Sequence, residues 1–237
     1  MELQRKNQWH LISLLSSGID SPVAAQISLN NKFIPLLVHM HNYPQKETNT
    51  LKVAIELAQK LKENNPKSNL SFVVIPHFII QNKLTELLQG SEARNICIFC
   101  KILMLKKAAR LSETLNIPFI VTGEILGEQA SQTLSNLPVI RSMINKLIIR
   151  PLIGYNKKEV VSLSKKWGYY NISIKTVEPC IINPNYPKTR SDLNDIKRIY
   201  NNYSDIIDEL IEQEVKYAQI YDFPLSKEKI VKDILNL

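Results

Sequence analysis

Short apolar runs alternate with helical patterns along the chain as far as Trp167, and that alternation leaves few architectures open. The runs His10–Leu15, Phe33–His39, Leu70–Ile75, Pro118–Thr122 and Leu147–Ile149 read as buried parallel strands. Between them the spacing predicts helices over Pro22–Asn30, Glu47–Glu63, Lys83–Gln89, Lys101–Leu115 and Lys157–Trp167. Strand followed by helix implies right-handed crossovers, hence an α/β fold with a parallel sheet and helices on both faces. Ligands of such sheets bind beyond the carboxyl ends of the strands, where strand order reverses. The loops to watch are therefore 16–21, 39–44, 76–82, 123–136 and 150–156.

The proline-rich stretch "NPNYPKTRSDLND" (183–195) ends the pattern. Beyond it, Asp192–Gln219 is amphipathic and reads as helix, and Leu225–Leu237 as a short last helix. The expected organisation is one domain over 1–190 and a helical appendage over 191–237, packed on the surface without chemistry of its own. An apolar content of 44% with no internal repeat supports a single core. No apolar run reaches the roughly 18 residues of a membrane span. The start, "MELQRKNQWH", is too polar for a secretory signal, so a cytoplasmic protein without a membrane partner is expected. A net charge of +8 favours a polyanionic partner such as nucleic acid, although charge alone is a weak guide.

The stretch "LLSSGIDSPVAA" (14–25) reads as strand end, tight loop and helix start. Amides at such a turn point outward together, and the helix N-terminus adds positive potential. Ser16, Ser17, Gly18, Asp20 and Ser21 would form an anion cup, with Ser21 or Asp20 as N-cap and Pro22 in the first turn. A Walker loop and G-x-G-x-x-G are both absent. Asp20 repels a triphosphate unless Mg²⁺ bridges the two or the carboxylate caps the helix. A capped turn without a ligand remains the alternative at this point. Ser17 would carry strain on the order of 1 kcal/mol if its position required positive φ.

Three cysteines without a secretion signal speak against a disulfide framework. Cys97-x-x-Cys100 places two thiols one helical turn apart, or in a metal-clasping loop. Cys180 lies far off in sequence. Zinc lacks an obvious fourth ligand, and a redox pair lacks thioredoxin-like context. A cluster held by three cysteines would leave one iron open, and three unligated buried thiols are the plain alternative.

"SSGIDS" resembles the S-G-G-x-D-S loop of the PP-loop ATP pyrophosphatases, and "LLSSGIDSPVAA" is most similar to the tRNA 4-thiouridine synthetase (tRNA sulfurtransferase, ThiI-type) branch. "VHMHN" (38–42), "CIFCK" (97–101), "VTGEILGEQASQTLSNL" (121–137), "RPLIGYNKKEV" (150–160) and "EPCIINPNYPKT" (178–189) match later blocks of that family in order. Coverage runs from about residue 10 to 190. The resemblance implies a PP-loop, Rossmann-like fold that binds ATP and Mg²⁺, adenylates the C4 carbonyl of a tRNA uridine and replaces its oxygen with sulfur. It implies that Leu14 and Leu15 border the nucleotide, Ser16–Ser21 hold its phosphates, and His39 and Met40 flank the adenine. Lys101, Gly123 and Gln132 match further nucleotide positions. Glu124 would help hold Mg²⁺ with Asp20. Asn136, Arg150 and Lys188 are further phosphate or substrate candidates. The stretch "EQASQTL" reads as a helix lining the site with small and amide residues.

Asp20 and Cys180 are the expected catalytic residues. By resemblance to archaeal-type members, Cys97, Cys100 and Cys180 would hold a [4Fe–4S] cluster; bacterial members lack the C-x-x-C pair and use the later cysteine as a persulfide carrier. The family's ferredoxin-like and THUMP regions have no match in this sequence. The expected partners are tRNA, a sulfide or persulfide donor and a separate THUMP-type RNA-binding protein, with a homodimer among the arrangements considered. Two other readings are kept: sulfur insertion on a small molecule in the thiamine thiazole pathway, and a non-catalytic nucleotide- or RNA-binding accessory protein.

Overall fold

A computed structural model describes residues 9–43 and 48–235. The polar start 1–8, loop position Pro44, the expected helix start at Glu47 and the last two residues of the expected C-terminal helix lie outside them. The chain order is β1 (Leu11–Leu14), α1 (Asp20–Asn30), β2 (Pro35–His41), α2 (Asn49–Asn64), β3 (Ser71–Pro76), α3 (Phe78–Leu87) and α4 (Ile96–Thr114). There follow β4 (Phe119–Val121), α5 (Asn136–Ser142), β5 (Leu147–Ile149), α6 (Lys157–Lys166) and α7 (Tyr170–Ser173). The last elements are α8 (Leu193–Asn202), α9 (Ser204–Lys216), β6 (Gln219–Asp222) and α10 (Lys227–Leu235).

The strand order is β5-β4-β1-β2-β3-β6. Strands β1 to β5 are parallel, in registers such as Ile12↔Leu36 and Ile12↔Ile120. Their unbroken apolar runs follow from burial on both faces. Ile12, Leu36, Val38, Val73, Ile75 and Ile120 pack on one side with α3, α4, α5, α8 and α9. Leu11, Leu37, Phe72, Val74 and Val121 face α1, α2, α6 and α10 on the other. The chain builds β1, β2 and β3 outward, then crosses back to place β4 beside β1. The order therefore reverses between β1 and β4, and the loops after both open at that crevice.

Two expectations change beyond residue 191. Asp192–Gln219 is two helices broken at Tyr203, and the chain then forms β6, which runs antiparallel beside β3 with Phe72 opposite Tyr221. A four-residue edge strand is too short to show a period against the helical pattern before it. The segment is helical in the main, yet it also builds core: Ile196, Ile199, Ile207 and Ile211 are buried against the α4 side of the sheet. The start of α4 is also earlier than expected, at Ile96, which puts both Cys97 and Cys100 on one helix.

Candidate nucleotide and sulfur site

After Leu14 the chain folds back on its own serines. Ser16 N–H donates to Ser21 Oγ at 2.9 Å, Gly18 N–H to Ser16 Oγ at 3.2 Å, and the Ser16 and Ser21 hydroxyls are 3.0 Å apart. Neither Ser17 nor Gly18 adopts positive φ, so Ser17 sits there without the strain considered above. The expected side-chain cap is absent. Ile19 occupies the N-cap position and Asp20 is the first helical residue, because its carboxylate is turned to Lys157 Nζ at 2.6 and 2.9 Å. Lys157 opens α6, held by a capping box between Asn156 and Glu159.

Gly123, just past β4, backs the loop. A Cβ there would lie 2.8 Å from Ser21 N and Cα and 2.9 Å from the Asp20 carbonyl carbon. Backbone cannot yield as a flexible side chain does. Gly123→Ala is expected to destabilise the chain by about 1–3 kcal/mol through overpacking and to weaken nucleotide binding with it. Urea unfolding and calorimetric titration with ATP check this, and unchanged values for both would show slack between β4 and the loop.

A cavity of about 360 Å³ opens at the crevice. Leu14, Leu15, Ser16, Ser17, Gly18, Asp20, Ser21, His39, Met40, Lys101, Gly123, Glu124, Gln132 and Cys180 all line it. His39 is buried, and its Nδ1 lies 3.0 Å from the Leu15 carbonyl, which requires the proton on Nδ1. Its Nε2 is buried without a hydrogen-bond partner. Desolvation brings His39 down to about 4. At the rim, the Glu178 carboxylate accepts from Asn49 N–H (2.8 Å), Thr50 N–H (2.9 Å) and Thr50 Oγ–H (2.8 Å) at the start of α2. Burial would raise Glu178, but these donors outweigh it and bring it to about 2. Both groups bind fewer protons folded than unfolded as acid is added. Stability should therefore fall as the pH drops from about 6.5 toward about 4 through His39, and further toward 2 through Glu178. Urea midpoints at pH 7 and pH 4.5 test the sign.

Glu124 is almost fully buried and meets two cations. Arg150 Nε lies 2.5 Å from Oε2, Lys101 Nζ 3.2 Å from Oε1, and Thr122 Oγ donates to Oε2 at 2.8 Å. Burial favours the neutral acid, but Lys101 and Arg150 prevail and hold Glu124 below the usual carboxylate range. With Asp20 taken by Lys157 as well, these two carboxylates do not fit a magnesium site as they stand. Arg150 thus serves Glu124, and it does not line the cavity.

The stretch 128–134 is not the expected helix. Gln129 and Thr133 have extended backbones on either side of a single 3-10 turn, Ala130–Gln132. Short polar side chains divert the backbone here: Thr133 Oγ accepts from Asn136 N–H at 3.1 Å, and Gln132 Oε1 from Ile125 N–H at 3.2 Å. Asn136 is a buried staple, donating to the Ala130 and Lys188 carbonyls and accepting from Ser191 N–H. Neither Asn136 nor Lys188 lines the cavity.

Cys97 and Cys100 occupy the first turns of α4, while exposed Cys180 sits at the rim. Tyr43 Oη donates to the carbonyls of Glu178 and Pro179 at 2.8 and 2.9 Å, which fixes the backbone leading to Cys180. Burial pushes Cys97 up and Cys100 to about 11, and the nearby Cys180 adds to both shifts. Among the described residues no three His, Cys, Asp or Glu side chains are grouped to hold a single metal ion. An iron–sulfur cluster spaces its thiolates more widely, and three soft donors around one cavity edge fit that group. Sequence reasoning missed Lys157, Tyr43 and Glu178. Only the capping box at Asn156 signalled one of them, and spacing could not reveal that α6 packs beside α1.

The family model described as "Thiamine biosynthesis protein (ThiI)" matches residues 7–204. A "Probable tRNA sulfurtransferase" of Lysinibacillus sphaericus is 35% identical over 222 residues, covering 93% of this chain and 53% of that protein. One of Methanocaldococcus jannaschii is 36% identical over 194 residues, covering 81% and 49%. The chain spans about half the length of the curated relatives it matches. The crystal structure of a 4-thiouridine synthetase–RNA complex with bound ATP superposes with a TM-score of 0.81 at 28% identity, over 89% of this chain and 54% of that one. An NMN synthetase from Francisella tularensis (TM-score 0.52, 14% identity) shares the fold. Among the described residues no helix is long and apolar enough to cross a membrane.

Proposed function

The chain belongs to the ThiI family, and on that premise we propose that it is the ATP-using catalytic part of a tRNA sulfurtransferase that converts a uridine to 4-thiouridine. One observation carries this reading: the serine loop and Cys180 line the same cavity. Phosphate activation and sulfur delivery can therefore meet on one base.

Oxygen at C4 of uracil is a poor leaving group. Attack of that oxygen on the α-phosphorus of ATP forms an adenylated base and expels pyrophosphate. Sulfur then bonds to C4, and the original oxygen leaves within AMP. Loop amides and the Ser16 and Ser21 hydroxyls would hold the phosphates, as an anion cup at the start of α1 does. Lys157, held at the loop by Asp20, and Lys101, held by Glu124, would offset the charge that develops on the departing pyrophosphate. His39, with its free Nε2 acceptor, suits an exocyclic amine such as that of adenine. The uridine must arrive unstacked, since C4 is hard to reach in folded RNA.

Cys97, Cys100 and Cys180 would hold a [4Fe–4S] cluster, whose open iron position would supply a binding point for sulfide. The chain's own part is to keep Cys180 at the rim through Tyr43 and Glu178. A THUMP-type partner is proposed to grip the tRNA body, and the cytoplasm is the proposed compartment. The test is anaerobic incubation of the protein with ATP, sulfide and tRNA, with and without a THUMP-type protein, followed by nucleoside analysis. The expected product is 4-thiouridine with stoichiometric pyrophosphate. Pyrophosphate without thiouridine would shift the substrate assignment, and neither product would remove the reading.

A further inference from the structure

Cys100 stands at one end of a line of buried polar groups that the proposed reaction leaves unused. Lys107 lies seven residues further along α4, on the same side of the helix, with its side chain fully buried. Its ammonium has three protons and three acceptors: the Pro76 carbonyl at 3.0 Å, His77 Nδ1 at 2.7 Å and the equally buried Glu214 carboxylate of α9. An ammonium only donates, so His77 Nδ1 must accept, and the neutral ring then carries its proton on Nε2. That Nε2 lies 3.4 Å from Cys100 Sγ. Gln81, one turn on from His77, places its Nε2 3.4 Å from the same sulfur. Two N–H donors converge on one sulfur, an environment suited to a thiolate rather than a thiol.

We propose that Glu214, Lys107 and His77 form a buried relay that fixes the His77 tautomer and, together with Gln81, orients Cys100 Sγ as a metal-holding thiolate. These are positioning residues, acting as outer partners of metal ligands do. The proposal deepens the cysteine reading above and rests on it for the identity of the metal alone. A neutral residue in place of any relay member would leave Cys100 present but loosely aimed.

Nitrogen-15 NMR of the metal-free protein should find His77 protonated at Nε2 and bare at Nδ1; the opposite tautomer overturns the proposal. Cd²⁺ is the probe for the thiols, read by its thiolate charge-transfer absorption. Its affinity should fall at least roughly tenfold in His77→Phe and recover in His77→Gln, whose amide can donate in place of Nε2–H. Equal Cd²⁺ affinity in His77→Phe and the unaltered protein, with both folded by melting curves, also overturns it. Should His77→Phe fail to fold, the tautomer decides. Iron and sulfide uptake by the unaltered protein is measured separately; its failure removes the cluster reading, while the relay is still judged by tautomer and Cd²⁺.

Discussion

Cys180→Ser protein should bind ATP with unchanged affinity and form no detectable thiouridine. The two halves of that result come from different parts of the site. Phosphate contacts belong to the loop between β1 and α1, whose serines bond to one another and whose back rests on Gly123. None of those contacts involves Cys180. The thiol is exposed, so replacing sulfur with oxygen removes little buried surface. The backbone leading to it is held by Tyr43 and by Glu178 on α2, and both survive the change. Lost instead are the soft ligand and the atom able to carry sulfur, since a serine oxygen does neither at neutral pH. Calorimetric ATP titration and nucleoside analysis read the two halves separately. Thiouridine formed at the normal rate would remove Cys180 from the chemistry. Loss of ATP binding as well would mean that the rim and the loop are coupled.

The sequence was informative wherever a feature is local. Strands buried on both faces are apolar throughout, so five of the six could be located from runs such as "FIPLLVH" and "LSFVVI". Ligands of parallel sheets gather at strand ends, so residues scattered from Leu14 to Gln132 could be expected together, and one cavity contains them. Pairings across the fold were not legible. Nothing in the spacing of Asp20 and Lys157, or of Glu124 and Arg150, shows that each carboxylate spends its charge on a cation. The magnesium role expected of both fails for that reason. Gln219–Asp222 was hidden because four residues at a sheet edge carry no period of their own. "EQASQTL" misled because its small and amide residues look like a polar helix face, whereas their side chains bond the local backbone and end helices.

Lys107→Met should destabilise the protein by about 3–5 kcal/mol, the cost of leaving a buried carboxylate without its partner. Glu214 has no exposed side-chain surface and cannot turn to water. The double variant Lys107→Met with Glu214→Leu should recover most of the loss, because two apolar side chains of similar volume replace a pair whose own net contribution is small. The comparison also bears on the segment after residue 191. Lys107 belongs to α4, beneath the sheet, and Glu214 to α9, so a loosely packed appendage would let Glu214 escape to solvent and Lys107→Met would cost under 1 kcal/mol. Guanidinium unfolding with a single transition, followed by fluorescence and by circular dichroism, distinguishes the cases. A retained ion pair where a hydrophobic pair would serve equally well needs another explanation, and the contact of Lys107 with His77 Nδ1 provides one. The double variant is thus expected to be stable, yet to leave the His77 ring free to take either tautomer beside Cys100.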